Sequence, residues 1–279
     1  MSVRIVIDSS ADLTAASQQR LTAVPLTIFF GQQEYADGVT ITQAEFYKKL
    51  VESDVLPTTS QPSPALFDAI YAQAEAEGDS VVVITISSEL SGTYQSACIP
   101  AEDYENVYVI DSRNAAIGAG CLAELALQLA DKGMNAQEIA DTLIRERENV
   151  RLLAVLDTLE YLKKGGRISG AVAFVGGMLS IKPMITLADG KIVMVGKPRG
   201  LKQANKMLMA EVENAGGIDF SKPFLLGYTG LEDTLLQNFI EESDSLWNGQ
   251  ALPKTMICSV IGTHVGPGAF AVAFFAKNK

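Results

Sequence analysis

Four hydroxyl-rich segments carry most of the chemistry available to this 279-residue chain. They are Asp8-Ser9-Ser10, Thr58-Thr59-Ser60-Gln61, Ser87-Ser88 with Ser91-Gly92-Thr93, and Asp111-Ser112. Hydroxyls and backbone N–H groups together can hold a carboxylate or phosphate without a full opposing charge. Any one such segment is more often a cap or a turn; their recurrence at strand ends points to a ligand. His264 is the sole histidine, within Gly-Thr-His-Val-Gly-Pro-Gly, so no His-cluster metal site is available. As a general base it would need a nucleophile and an orienting acid. Ser91 or Thr263 with Asp111 supplies the residue types, which keeps a stand-alone acyl hydrolase or transferase built on Ser91 and His264 as the alternative reading. The chain lacks both a GxSxG elbow and a GxxxxGK[ST] phosphate loop. Gly118 to Ala123 matches GxGxxA, but lies inside a helical pattern, whereas a dinucleotide site needs its glycines at the strand-to-helix turn.

Charge is segregated. Nine basic residues and one acid lie between Lys163 and Lys206, +8 in 44 residues, inside a chain of net charge −11. Such a segment suits a docking surface for an acidic protein or an anionic membrane surface. Within it, Ile168 to Ile181 carries no charge. It reads as a core helix, with Gly176 and Gly177 leaving room for an apolar ligand.

Strands and helices alternate in the first half, and this positions the hydroxyl segments. VRIVI, AVPLTIFF, SVVVITI and NVYVI are apolar runs of strand length. Thr42 with Glu45, and Asn135 with Glu138, are helix-start signatures. Ser63-Pro64 reads as an N-cap and first helical residue, and a further helix starts near Ala115. PTTSQPSP, Pro57 to Pro64, has three prolines and is extended. The rhythm predicts a covered parallel sheet over residues 1–150. The second half, 151–279, mixes hairpins and helices. TLEYLKK is a short helix stopped by Gly165-Gly166, Asp189-Gly190 is a hairpin turn, and a helix starts near Leu201. Thr255 to Ala276 is uncharged, but GTHVGPG divides it into two strand-length pieces rather than a membrane span. The fold class expected is α/β: a parallel-sheet α/β domain followed by a mixed-sheet α+β domain, with the ligand between them.

Composition narrows the function classes. The acidic balance, 33 Asp+Glu against 22 Lys+Arg, argues against a general nucleic-acid partner. Three dispersed cysteines without CxxC suit a reducing cytoplasm. No apolar leader follows the N-terminal methionine.

Taken in order, Asp8-Ser9, TSQPSP from Thr59, SSELSGTYQSA from Ser87, IDS from Ile110, LEYLKKGGRIS from Leu159, IKP from Ile181, the Asp189-Gly190 hairpin, KPRG from Lys197 and GTHVGPGA from Gly262 resemble the DegV family of bacterial fatty acid-binding proteins, the FakB subunits of fatty acid kinase systems. The resemblance spans the chain. It implies one long-chain fatty acid between the domains, with its carboxyl held by Thr59, Ser60 and Ser91 and with Gly92, Thr93 and His264 close by. It places Arg167 near the site mouth and Arg199 on a kinase-facing loop, beside Lys202. It also implies a substrate-presenting protein with no cofactor, no metal and no catalytic residue of its own, whose partner is a separate ATP-dependent kinase subunit making acyl phosphate. About fourteen buried methylenes at ~0.8 kcal/mol each contribute on the order of 11 kcal/mol gross. A head-group hydrogen bond contributes on the order of 1 kcal/mol net. The tunnel would supply affinity, and the hydroxyls would fix the carboxyl.

Overall fold

A computed structural model describes residues 2–168 and 180–277. The first half contains β1 (Val3–Asp8), α1 (Ala15–Gln18), β2 (Thr22–Val24), β3 (Thr27–Phe30), β4 (Gln33–Ala36), α2 (Gln43–Glu52), β5 (Thr58–Ser60), α3 (Pro64–Glu77), β6 (Ser80–Thr85), α4 (Thr93–Ala101), β7 (Val107–Asp111), α5 (Ala116–Asp131) and α6 (Ala136–Glu146). The second contains β8 (Val150–Val155), α7 (Glu160–Lys164), β9 (Met184–Ala188), β10 (Lys191–Gly196), α8 (Gly200–Asn214), β11 (Phe224–Tyr228), α9 (Thr234–Glu242), β12 (Lys254–Met256), α10 (Ser259–Val265) and β13 (Phe270–Phe275).

The fold is a two-domain α/β architecture. β2-β1-β6-β7 form a wholly parallel sheet. β6 is buried at every position, as a parallel strand covered on both faces must be. β10-β9-β8-β13-β11-β12 form a mixed sheet, antiparallel except at β11–β12. A small antiparallel sheet, β4-β3-β5, stands beside them. α5 packs against β1 and β6 of the parallel sheet and against β8, β11 and β13 of the mixed sheet. Its sequence AIGAGCLAEL is small enough for that double approach: a Cβ on Gly120 would overlap the Asp12 carbonyl oxygen. The GxGxxA match therefore serves helix packing.

Local signals behave as the sequence indicates in several places. Thr42 and Asn135 both form capping boxes, with Glu45 and Glu138. The Asp189-Gly190 turn joins antiparallel β9 and β10, and Asp189 adopts a positive φ of 49°. Pro64 opens α3, although the Ser63 side chain makes no cap hydrogen bond.

Two expectations are corrected. AVPLTIFF is not one strand: β2 joins the parallel sheet and β3 the small one, with Pro25 between them. Proline lacks the N–H that a continuous ladder would use there. The stretch from Thr255 is not a full strand either: β12 ends at Met256, and Ser259–Val265 is helical. His264 therefore lies on a helix and not in a loop. The cause is distant in sequence. Asp12 Oδ1 accepts from Cys258 N at 2.8 Å and Asp37 Oδ1 from Ser259 N at 3.3 Å, pairing the amides that begin α10. The expected core helix around Gly176 and Gly177 lies outside the described residues. Among the described residues no helix is long and apolar enough to cross a membrane.

Candidate functional site

A cavity of about 340 Å³ lies where the three sheets meet, within the usual range for small-molecule sites of roughly 300–1,000 Å³. One end is polar. Thr59, Ser60 and Gln61 come from β5 and the residue after it, Ser91 and Gly92 from the turn before α4, Arg167 from the turn after α7, and His264 from α10. The remainder is apolar except for Thr229, whose hydroxyl is taken up by the Ala269 backbone, with Leu26, Ile86, Ala115 and Ala116 on one side and Leu152, Ala154, Ile185, Leu187, Gly227 and Ala271 of the mixed sheet on the other. Ala116 adopts a positive φ of 50°, a conformation that costs a non-glycine residue about 1–2 kcal/mol and recurs at functional sites.

The polar wall is assembled by pairing rather than by adjacency. PTTSQPSP is extended because Thr58–Ser60 adds to β3 as an edge strand, with Thr59 opposite Ile28. This brings Thr59 Oγ1 to 2.8 Å from His264 Nε2. The second imidazole nitrogen, Nδ1, is buried without a hydrogen-bond partner. Gly165 packs so closely on that face that a Cβ there would overlap the ring. Burial, reinforced by the Arg167 charge, depresses the His264 pKa to about 4, so the ring is neutral at pH 7. Ser91 Oγ lies 2.9 Å from Thr93 Oγ1 and accepts from Thr93 N at 3.3 Å. Gln61 Nε2 donates to Ser96 Oγ at 2.9 Å, and Gly92 lies directly under the Gln61 amide, where a Cβ would overlap it. Arg167 is exposed at the rim and donates to the Leu90 and Gly165 carbonyls at 3.3 and 2.6 Å.

Six of the seven residues expected near a ligand line this cavity: Thr59, Ser60, Ser91, Gly92, Arg167 and His264. Thr93 is fully buried and bonds to Ser91. The other hydroxyl segments do not converge on the cavity. Asp8 accepts from Ser10 and from Ile86 N, Ser88 bonds Asp111, and Ser87 Oγ donates to Gly190 O at 2.8 Å. They brace loops and the β9–β10 turn. No Ser–His–acid relay forms among the described residues. His264 faces Thr59, its Nδ1 has no carboxylate, Asp111 binds Ser88 and the Arg113 amide, and Thr263 Oγ1 donates to Ser259 O. No cluster of three or more His, Cys, Asp or Glu side chains suited to a metal is present among the described residues.

The basic stretch is partly neutralised by acids outside it. Lys164 pairs with Glu160, Lys182 with Asp157 and Lys191 with Glu89. Arg199 immediately precedes α8, and Arg199, Lys202 and Lys206 are exposed along it.

Comparison with known proteins places this geometry. The profile described as "Uncharacterised protein, DegV family" matches residues 2–277. The chain belongs to the DegV family. A DegV domain-containing protein of Caldanaerobacter subterraneus is 35% identical over 283 residues, covering 99% of each chain. The structure of a DegV family protein from Thermus thermophilus, described for its fatty acid binding, superposes with a TM-score of 0.87 at 32% identity, over 99% of this chain and 100% of that one. A fatty acid binding DegV family protein from Streptococcus agalactiae superposes with a TM-score of 0.86 at 28% identity, over the whole of both chains.

Sequence reading did not pick out the residues of the apolar lining. Ala154, Ala271 and Gly227 are unremarkable alone. The available signal was the alternation in β13, Phe-Ala-Val-Ala-Phe-Phe, where Phe270, Val272 and Phe274 pack with the outer cluster and Ala271 and Ala273 with the inner one.

Proposed function

We propose that this protein binds one long-chain fatty acid in the inter-domain cavity and presents its carboxyl group to a separate kinase subunit for acyl phosphate formation. The observation that carries the reading is the composition of the cavity: a largely apolar lining with Thr59, Ser60, Ser91 and a neutral His264 grouped in it, and one exposed cation, Arg167, beside them. An amphiphile with a long apolar chain and one small acidic head fits that distribution.

The head-group chemistry follows from the His264 pair. With its proton on Nε2, the neutral ring donates to Thr59 Oγ1, and the Thr59 hydroxyl proton is then free for the ligand carboxylate. Ser91 stands at the start of α4, where first-turn amides favour an anion. Thr93 fixes the Ser91 hydroxyl, and Arg167 supplies long-range attraction without burying a charge pair. Phosphoryl transfer needs a Mg-nucleotide site. The chain carries no phosphate-binding loop, so the kinase partner provides the nucleotide. Exposed Arg199 and Lys202 are the proposed kinase contact, with an anionic membrane surface as the transient alternative.

Delipidated protein should gain thermal stability on adding palmitate or oleate, because a ligand binding only the native state stabilises it by mass action. Absence of a shift with refolded, competent apo-protein overturns the reading. The Arg199→Glu, Lys202→Glu pair should slow association with the kinase at low salt while leaving fatty acid affinity unchanged. Surface plasmon resonance at several salt concentrations measures the first, and titration calorimetry the second.

A further inference from the structure

The hydroxyls of the cavity come from two segments that are far apart in sequence and held by different neighbours. Thr59 and Ser60 belong to β5, which is fixed by pairing with β3, and Ser91 stands just before α4, which packs on α3. Among the described residues one hydrogen bond joins residues 58–61 to residues 87–96: Gln61 Nε2 donates to Ser96 Oγ at 2.9 Å. Ser96 is buried in the first turn of α4, and its amide donates to the Gly92 carbonyl at 3.0 Å.

Gly92 records the same contact from the other side. Its backbone has φ −74° and ψ 7°, on the negative-φ side where an L side chain is tolerated, so conformation does not call for glycine. Space does, because a Cβ would overlap the Gln61 side-chain oxygen. Gln61 itself is exposed, so burial does not dictate its type either. Its amide is matched to two particular neighbours: the nitrogen to Ser96, and the oxygen to the space that Gly92 leaves open.

Resting on the fatty-acid reading, we propose that Gln61 is a positioning residue: it clamps the start of α4 to the end of β5 and so fixes the spacing of the Thr59 and Ser91 hydroxyls on the ligand carboxyl. It acts through Ser96 and Gly92. A carboxylate accepting from two hydroxyls needs each at roughly 2.5–3.0 Å. Slack between the two segments therefore loosens the head group first and leaves the burial of the acyl chain in place.

The test loads delipidated wild type, Gln61→Ala, Ser96→Ala and the double variant with palmitate isotope-labelled at its carboxyl carbon. The carboxyl NMR resonance, palmitate affinity and apo-protein melting are recorded for each. Ser96 is not among the residues lining the cavity, so Ser96→Ala releases the clamp and leaves the ligand's surroundings untouched. The expected result is one narrow carboxyl resonance in wild type, and a broadened or doubled one in both single variants. The double variant should show no further change, because both substitutions remove the same link. Palmitate affinity should stay within about tenfold of wild type, the most that one hydrogen bond commands. Should Gln61→Ala not fold, Gln61→Met keeps the length and removes the donor. A wild-type resonance in Ser96→Ala, additive changes in the double variant, or loss of palmitate binding well beyond tenfold in a folded variant overturns the proposal. Failure of wild type to bind palmitate overturns the fatty-acid reading, and the role of Gln61 with it.

Discussion

The two ends of α10 use buried titratable groups for opposite purposes. At the N-terminal end, Asp12 and Asp37 reach across from the first half of the chain and accept the Cys258 and Ser259 amides. Tyr47 Oη donates to the Ile257 carbonyl at 3.0 Å beside them. At the C-terminal end, His264 has one hydrogen bond, to Thr59, and a nitrogen left unpartnered. Burial acts on both ends in the same sense, toward the neutral form. It raises the Asp12 carboxyl well above its ordinary range, with Asp37 and Asp8 adding to the effect, and it lowers His264 to about 4. The difference teaches what each end does. One end is spent on backbone amides and fixes the helix; the other spends its single hydrogen bond on Thr59, a residue of the cavity wall.

Breaking the anchored end should have the largest effect. Asp12→Ala leaves a buried amide unpaired, at a cost of about 1–3 kcal/mol. Urea denaturation should show that loss, while Thr59→Ala at the other end should weaken palmitate binding with little change in the denaturation midpoint. If the two substitutions prove indistinguishable in both assays, the division of labour along α10 is wrong.

Acid sharpens the contrast, because the two ends respond with opposite sign. The folded state holds the Asp12 and Asp37 protons more tightly than the unfolded chain, whose aspartate value is 3.8. Their contribution to stability is complete below that value and is lost as pH rises toward the raised folded pKa. His264 is the reverse: its contribution is present above the unfolded value of 6.5 and is lost as pH falls toward about 4. Between pH 4 and 6.5, His264→Gln should therefore tilt the stability profile toward acid, and Asp12→Asn should tilt it toward neutral. Melting temperatures across that window measure both slopes; tilts of the same sign would refute the assignment.

The smallest effect belongs to the cavity end. Ser91→Ala removes one head-group hydrogen bond, worth about 0.5–1.5 kcal/mol of affinity. Acyl phosphate formation with the kinase should fall further, because transfer depends on positioning. Calorimetry and a coupled kinase assay compare the two losses, and equal losses would confine Ser91 to binding.

Much of this was legible in the chain. The alternation of apolar runs with helix-start pairs such as Thr42–Glu45 gave the parallel sheet, because a capping box and a buried strand are fixed by residues a few positions apart. The hydroxyl segments at Thr59 and Ser91 were visible as candidates. What could not be seen was that Ser88 and Asp111 would satisfy each other while Thr59 turned to His264. Both segments have the same local chemistry, and only the strand pairing of β5 with β3 separates them.

By itself, the sequence determined the helix starts at Thr42 and Asn135, the hairpin at Asp189-Gly190, the absence of a GxxxxGK[ST] motif and the polar residues offered to a ligand. Tertiary structure decided the rest. Cys258 begins a helix rather than extending a strand because Asp12 lies against it across 246 residues of chain. Ala271 faces open space while Ala273 meets α5, though both are alanines on one face of one strand. Neither outcome follows from local propensity, because each depends on which distant group occupies the neighbouring volume, and that is settled only when the sheets pack.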